Sequence, residues 1–511
     1  MKQSHLILSN ALAIWACRVL LLVPQLILVP YLIATIGEAG YGVYTLVWSL
    51  LVSIEQLQRS LQSGVVKYSA GFLAQERIDD VNRVVSSSFI YSLLLAVVAC
   101  TGILGAAALY DNTGRQIGSA LIVVCVMVFF IMPLTPYVAV IQSRQRYYVE
   151  AIAEIIAKYL GLGTTFAWFA WMTPSVKTLI IIMAGTLLLS RIAQVPVAYK
   201  LLRGLQNRPC FFDKGIFRMI ATFGAATVLA SLCLIANSTG VRWLMGILVS
   251  TSFVAHLAIM LMPGTLLSQI VTAMTITIMP ATSAYEATGN QRMLEELMIQ
   301  SMRYVTILAL AAVLTAGLLM SNVLRAWVGP EYVFLSPYAL ILFTCLSFML
   351  STSTAHHMLK GMGKLRNVVF IYFVGLLVVP ITSILVLFYI LKNPYVAVSF
   401  GLSAGYIVCG CLQIAYCTQA VRANFWVLLR TVYARSIMLA AIVYLVAISA
   451  LTTIGICELP GRICAAPLAI LLFCSGCYFF IATAAERQQI KGIFELVKAI
   501  FTLNTRQRKE A

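Results

Sequence analysis

Apolar runs of roughly 20 residues, separated by short polar or glycine-bearing turns, recur along the chain. A run of about 18 or more apolar residues can cross the ~30 Å hydrocarbon core as an α-helix rising 1.5 Å per residue. Strands of a membrane barrel would alternate polar and apolar over about 10 residues, and these runs do not. The pattern predicts about fourteen spans, at 8–36, 41–61, 84–109, 117–141, 152–172, 176–198, 216–236, 244–279, 303–321, 338–357, 368–391, 395–417, 432–452 and 463–484. The stretch 244–279 is too long for one upright helix. It is read as a single long helix, in preference to two pieces broken near Pro263 and Gly264.

Composition agrees with this pattern: 61% of the 511 residues are hydrophobic and only 10% are charged, which leaves little for a soluble domain. The basic residues orient the spans. With the amino terminus inside, the cytoplasmic segments hold 25 of the 35 Lys and Arg, and the outer loops hold Arg115, Lys177, Arg242, Arg325, Lys392 and Arg462. Such asymmetry over short loops is the positive-inside signal, and both termini are expected in the cytoplasm. The net charge of +18 then reflects topogenesis and contact with anionic headgroups. No loop is long enough for a basic face with stacking aromatics, so a nucleic-acid partner is not expected. The first span is too long for a cleavable signal peptide and runs into Pro30 and Tyr31.

Most of the 13 cysteines fall within spans, where a free thiol is a small hydrophobe. Cys457 and Cys464 flank the last outer loop and are either paired in an oxidising periplasm or both free. No zinc spacing is present, and the adjacent His356 and His357 do not share a helix face. No metal or cofactor is expected.

The chain divides into a first six-helix bundle (1–199), a cytoplasmic linker (200–214), a second six-helix bundle (215–420), and two further helices with a basic tail (421–511). The loops SAGFLAQERIDDVNR (69–83) and TSAYEATGNQRMLEEL (282–297) look alike, each with small residues, an aromatic and then a polar amphipathic stretch. They are either solvated connectors of similar length or marks of internal symmetry, which in a transporter places substrate at the repeat interface.

Charges inside the spans carry the candidate chemistry. A charge at bilayer depth costs at least ~2.5–3.5 kcal/mol on insertion scales, so it faces a cavity or a partner. The turn between the first two spans centres near residues 38–39, so Arg18 and Arg59 should lie at similar depth, with Glu55 sharing a helix face with Arg59. One reading is a buried ion pair pinning the two helices. The other starts from two arginines against one carboxylate, which leaves a guanidinium free to grip phosphate oxygens in a bidentate manner. Arg191, His256 and Gln269 are further candidates for the same cavity, although Arg191 can instead snorkel toward the interface.

IGEAGYGVYTLVWSL (36–50), a glycine-bearing hairpin followed by Y-G-x-Y and a polar-aromatic helix start, resembles bacterial polysaccharide transporters. These flip lipid-linked oligosaccharides and belong to the multidrug/oligosaccharidyl-lipid/polysaccharide exporter superfamily. IMPATSAYEATGN (278–290), with Pro280 closing the eighth span, looks like the matching point of the second half. The resemblance implies an all-α polytopic fold, with two six-helix bundles forming a V around a central cavity and the last two helices as an appendix. It also implies a bacterial inner-membrane flippase for an undecaprenyl-pyrophosphate-linked oligosaccharide destined for O-antigen, capsule or exopolysaccharide. The polymerase and glycosyltransferases of that pathway would be its partners. Its arginines would neutralise the pyrophosphate while the tail stays among membrane lipids, and an inside-negative potential would drive the anion outward by ~2.3 kcal/mol per charge per 100 mV. Coupling of Glu55 to protons or sodium is the alternative. Rival functions are a lipid II flippase, of the same chemistry; a multidrug antiporter, which would bury more acid than arginine; and a glycosyltransferase or polymerase. The last would need catalytic groups on outer loops, where 321–337 offers just Arg325 and Glu331.

Overall fold

The computed structural model describes residues 2–111, 117–144, 146–275, 278–453 and 459–481, with side chains given from Leu20 onward except at scattered positions. The described elements are all helical. The first continuous stretch, Lys2–Ala74, breaks at Gly37, whose φ of 73° and ψ of 171° only glycine adopts at low cost. It therefore forms two helices, α1 (2–36) and α2 (38–74). The rest follow as α3 (Ile78–Asp111), α4 (Ile117–Ser143), α5 (Tyr147–Trp171), α6 (Val176–Leu201), α7 (214–248) and α8 (Thr251–Thr275, with helix again at Ile278–Ala287). The second part continues with α9 (Gln291–Trp327), α10 (Pro330–Gly361), α11 (Leu365–Leu391), α12 (Pro394–Val421), α13 (425–453) and α14 (459–481).

Eleven described runs are long and apolar enough to cross a membrane, Leu20–Leu73 being one that contains the hairpin. Counting the hairpin as two helices and adding the charge-bearing α5 and the shorter α14 yields the expected fourteen. The protein is a multi-pass α-helical membrane protein. Side-chain caps begin several helices. Ser175 accepts from the Thr178 N–H, Asp213 from Ile216, Asn290 from Met293, and Asn393 from Tyr395 and Val396.

Helices α1–α6 pack chiefly on one another, as do α8–α12. The two groups meet where α2 runs along α7 and α8. Ser53 and Thr239 hydroxyls lie 2.7 Å apart, as do those of Ser60 and Ser231, and Thr239 donates to the Ser49 carbonyl at 3.2 Å. Small hydroxyl residues allow such close approach between membrane helices. Helices α13 and α14 sit outside, packing Ala440, Val443, Ala466 and Phe473 on Leu314 and Leu318 of α9. The 202–213 linker is fastened to α3: Asn82 donates to the Gly204 carbonyl and accepts from Gln206 N–H, while Ser87 Oγ accepts from Asp213 N–H.

Two boundaries differ from the sequence-based expectation. The seventh helix does not stop at 236; it widens into one π-helical turn at Ala236–Gly240 and runs to Leu248. The long eighth stretch is divided instead by a turn at Val249–Ser250. Pro263 lies inside α8 without breaking it, and helix at Ile278–Ala287 shows that Pro280 does not close the span. Cys457 lies outside the described residues, as does the side chain of Cys464, and with them the disulfide question.

Candidate functional site

Helix α2 presents different residues to two cavities. Glu55 and Arg59 face a cavity of about 250 Å³ inside the first bundle, shared with Gln25 of α1, Glu154 and Lys158 of α5, and Thr186 of α6. Gln56 instead borders a cavity of about 450 Å³ whose other walls come from α7, α8, α10, α11 and α12.

A network of charges borders the smaller cavity and extends beyond it. Arg191 Nη2 lies 3.3 Å from Glu55 Oε1, and its Nη1 lies 3.3 Å from Glu150 Oε1. Gln142 donates to the other Glu150 oxygen at 2.5 Å. Arg59 Nη2 is 3.7 Å from Glu55 Oε2, and Lys158 Nζ is 3.8 Å from Glu154. The Arg191 side chain is 14% exposed, whereas Arg59 is 54% exposed and only loosely held. Among the described residues three acids thus meet three cations, so Glu55 is not the sole carboxylate beside these basic groups. Glu150 and Glu154 arrive from α5, about a hundred residues away, which hairpin geometry alone could not foresee. Arg191 does not extend toward the interface; two carboxylates hold it. Arg18 lies on α1, and its side chain is outside the described residues.

The larger cavity has an apolar wall set with uncharged polar groups, among them Asn237, Ser238, Thr265, Ser268, Thr272 and Gln413. Its wall also holds Arg242, with His356 and His357 on α10, and none of its lining residues is acidic. Arg242 makes no ion pair among the described residues, its Nε is buried without a hydrogen-bond partner, and its electrostatic neighbours are the phenols of Tyr41 and Tyr406. Arg242 is thus an unpaired guanidinium outside the candidate set drawn from the sequence. The sequence puts Arg242 in the outer loop between the expected spans 216–236 and 244–279, just after NSTG (237–240). In the protein those residues form the π-helical turn, which directs Thr239 to α2 while Asn237 and Ser238 face the cavity. Ser238 and Arg242 are i,i+4 on one face. The signal available in advance was the amphipathic stretch VRWLMGIL, helical in its own right.

The remaining candidates lie apart from the charge network. His256 sits at the end of the bundle that carries Gly37, where its Nδ1 is 2.8 Å from the Tyr395 hydroxyl and its Nε2 is 3.5 Å from Glu38. Gln269 is half-buried on α8 and does not line the larger cavity, whose α8 wall is formed by Thr265, Ser268 and Thr272. No group of three or more potential metal ligands occurs among the described residues.

No protein-family model and no curated protein matches the chain. Solved structures do match. The lipid II flippase MurJ in an inward closed conformation superposes with a TM-score of 0.65 at 13% identity, covering 91% of this chain and 98% of that one. An inward-facing multidrug resistance MATE family transporter of the MOP superfamily superposes at 0.63, with 15% identity and 81% and 98% coverage. A eukaryotic MATE transporter superposes at 0.61, with 14% identity and 84% and 96% coverage. At these identities the likeness is one of fold. The chain has the fold of the exporter superfamily to which the multidrug and lipid II transporters belong.

Proposed function

We propose that the protein is a flippase that moves an undecaprenyl-pyrophosphate-linked oligosaccharide across the bacterial inner membrane for surface polysaccharide synthesis. The observation that carries this reading is Arg242, an arginine without a counter-charge in an acid-free cavity lined with hydroxyl and amide groups. A guanidinium there suits phosphate oxygens, and the surrounding hydroxyls and amides suit sugar hydroxyls. A cavity of about 450 Å³ accommodates a headgroup and not a polyprenyl tail, which stays in lipid. Arg59, exposed and loosely paired, and Arg18 are the arginines that would receive the anion in the first bundle; Glu55, Arg191, His256 and Gln269 complete the proposed set. A cationic drug would meet no carboxylate in the larger cavity, which disfavours multidrug export. Lipid II shares the pyrophosphate chemistry and remains the second reading, supported by the MurJ-like fold. The Gly37 end faces outward in this proposal, with both termini inside, as the basic residues require.

The test is surface glycan in cells whose polymer depends on this chain. Arg242→Ala should abolish it at normal protein abundance, and Arg242→Lys should restore part, since an ammonium keeps the charge but loses the planar fork. Full glycan in both Arg242→Ala and Arg59→Ala would overturn the reading. Complementation of a lipid II flippase deletion would favour the second reading.

A further inference from the structure

One face of α2 carries a row of aromatic rings. Tyr41 and Tyr44 stack with centroids 6.3 Å apart and an interplanar angle of 29°, and Tyr44 and Trp48 with centroids 5.9 Å apart and an angle of 22°. Spacings of three and four residues put all three on that face. The row joins the surroundings of the two cavities. Tyr41 is an electrostatic neighbour of Arg242, while Tyr44 and Trp48 line the smaller cavity with Gln25, Glu55, Arg59 and Thr186. Tyr44 is 7% exposed, and its hydroxyl makes no hydrogen bond among the described residues. The same holds for the Trp48 indole N–H and the Gln25 amide. The charged lining residues are balanced, Glu55 and Glu154 against Arg59 and Lys158.

We propose that the smaller cavity is a sugar subsite in which Tyr44 and Trp48 form the platform for a pyranose ring of the cargo; this deepens the flippase reading and rests on it. The C–H bonds on the flat face of a pyranose are weakly positive and suit the negative face of an aromatic ring. Its hydroxyls donate to carboxylates and accept from amide, indole and phenol donors, which Glu55, Gln25, Trp48 and Tyr44 supply. A phosphate is a poorer occupant, because Glu55 and Glu154 oppose it. Arg59, 54% exposed, can still meet the anion outside the cavity. A planar cation is poorer too, because Arg59, Arg191 and Lys158 already match those carboxylates. What remains is a neutral ring with polar edges. A cavity of about 250 Å³ holds a short stretch of glycan, and the row of rings leads to it from the neighbourhood of Arg242.

Cysteine protection tests the subsite. With native cysteines replaced, Gln25→Cys in the smaller cavity and Ser238→Cys in the larger one are labelled with a maleimide in detergent. The probes compared are the glycolipid extracted from cells that make the polymer, undecaprenyl pyrophosphate without sugar, and ethidium, a planar cation. The glycolipid should slow labelling of Gln25→Cys several-fold, and bare undecaprenyl pyrophosphate should not. Trp48→Leu should remove this protection, and Trp48→Phe, which keeps a ring face, should retain most of it. Surface glycan should follow the same order. The comparison of probes needs no change at Trp48, so it decides even where Trp48→Leu misfolds. Equal protection of Gln25→Cys by bare undecaprenyl pyrophosphate, protection by ethidium alone, or full protection in a folded Trp48→Leu variant would overturn the sugar assignment. Protection by the glycolipid at Ser238→Cys and not at Gln25→Cys would overturn it while leaving the flippase reading intact; protection at neither position would overturn both.

Discussion

Arg191 and Arg242 are two intramembrane arginines in opposite circumstances. Arg191→Met strands Glu55 and Glu150 beside each other without their shared cation. Removing one partner of a buried pair costs on the order of 3–5 kcal/mol, so thermal stability and membrane abundance should fall together. Arg242→Gln strands no counter-charge and relieves a desolvated guanidinium. Its melting temperature in detergent should be unchanged or higher while glycan export is lost. A comparable loss of stability in both variants would mean that Arg242 is structural. Gly42 sets a third expectation. A Cβ 1.8 Å from the Thr251 carbonyl oxygen cannot be accommodated by a rotamer change, because the obstacle is backbone. Gly42→Ala should therefore displace α2 from α8, at a cost of about 1–3 kcal/mol typical of overpacking. The melting temperature in detergent should fall accordingly. The sequence pointed to Glu55 and Arg59 because i,i+4 spacing is local, and it missed Glu150, Glu154 and Arg242 because their roles depend on which helices become neighbours.

The helices themselves were legible, since hydropathy over 20 residues reports the bilayer directly. Residues 237–243 were not legible in this way, because they fall between the expected spans 216–236 and 244–279 and so read as an outer loop. Within a bundle Thr239 finds partners on α2, so the segment stays helical and takes the extra residue as a π-helical turn. Phe373–Val378 of α11 widens in the same way, and both segments supply or adjoin cavity walls, as π-bulges at functional sites often do. The likeness of the 69–83 and 282–297 loops has a backbone counterpart. Arg77 N–H donates to the Phe72 carbonyl and Asn290 N–H to that of Tyr285, each across a left-handed residue, Glu76 or Gly289. At this scale the proposed orientation predicts that reporter fusions after Lys177 and Lys392 read outside, and fusions after Arg208 and Lys364 read inside. A single reversal would remove a span.

For the molecule as a whole, α2 is both the seam between the bundles and the partition between their cavities, and any relative rocking must pass through its contacts with α7 and α8. The 202–213 linker is fastened to α3 and so is tied to the first bundle. The balance of Glu55, Glu150 and Glu154 against Arg59, Lys158 and Arg191 has an electrical consequence. A group of charges summing to zero transports no gating charge when it shifts within the membrane field, whatever the distance. These six described charges should thus contribute little to any response of the first bundle to a voltage step, and the potential would do its work on the anionic cargo. Arg59→Gln leaves those six positions with one net negative charge, so capacitance recordings on a supported membrane should show a transient altered from that of the unmodified protein.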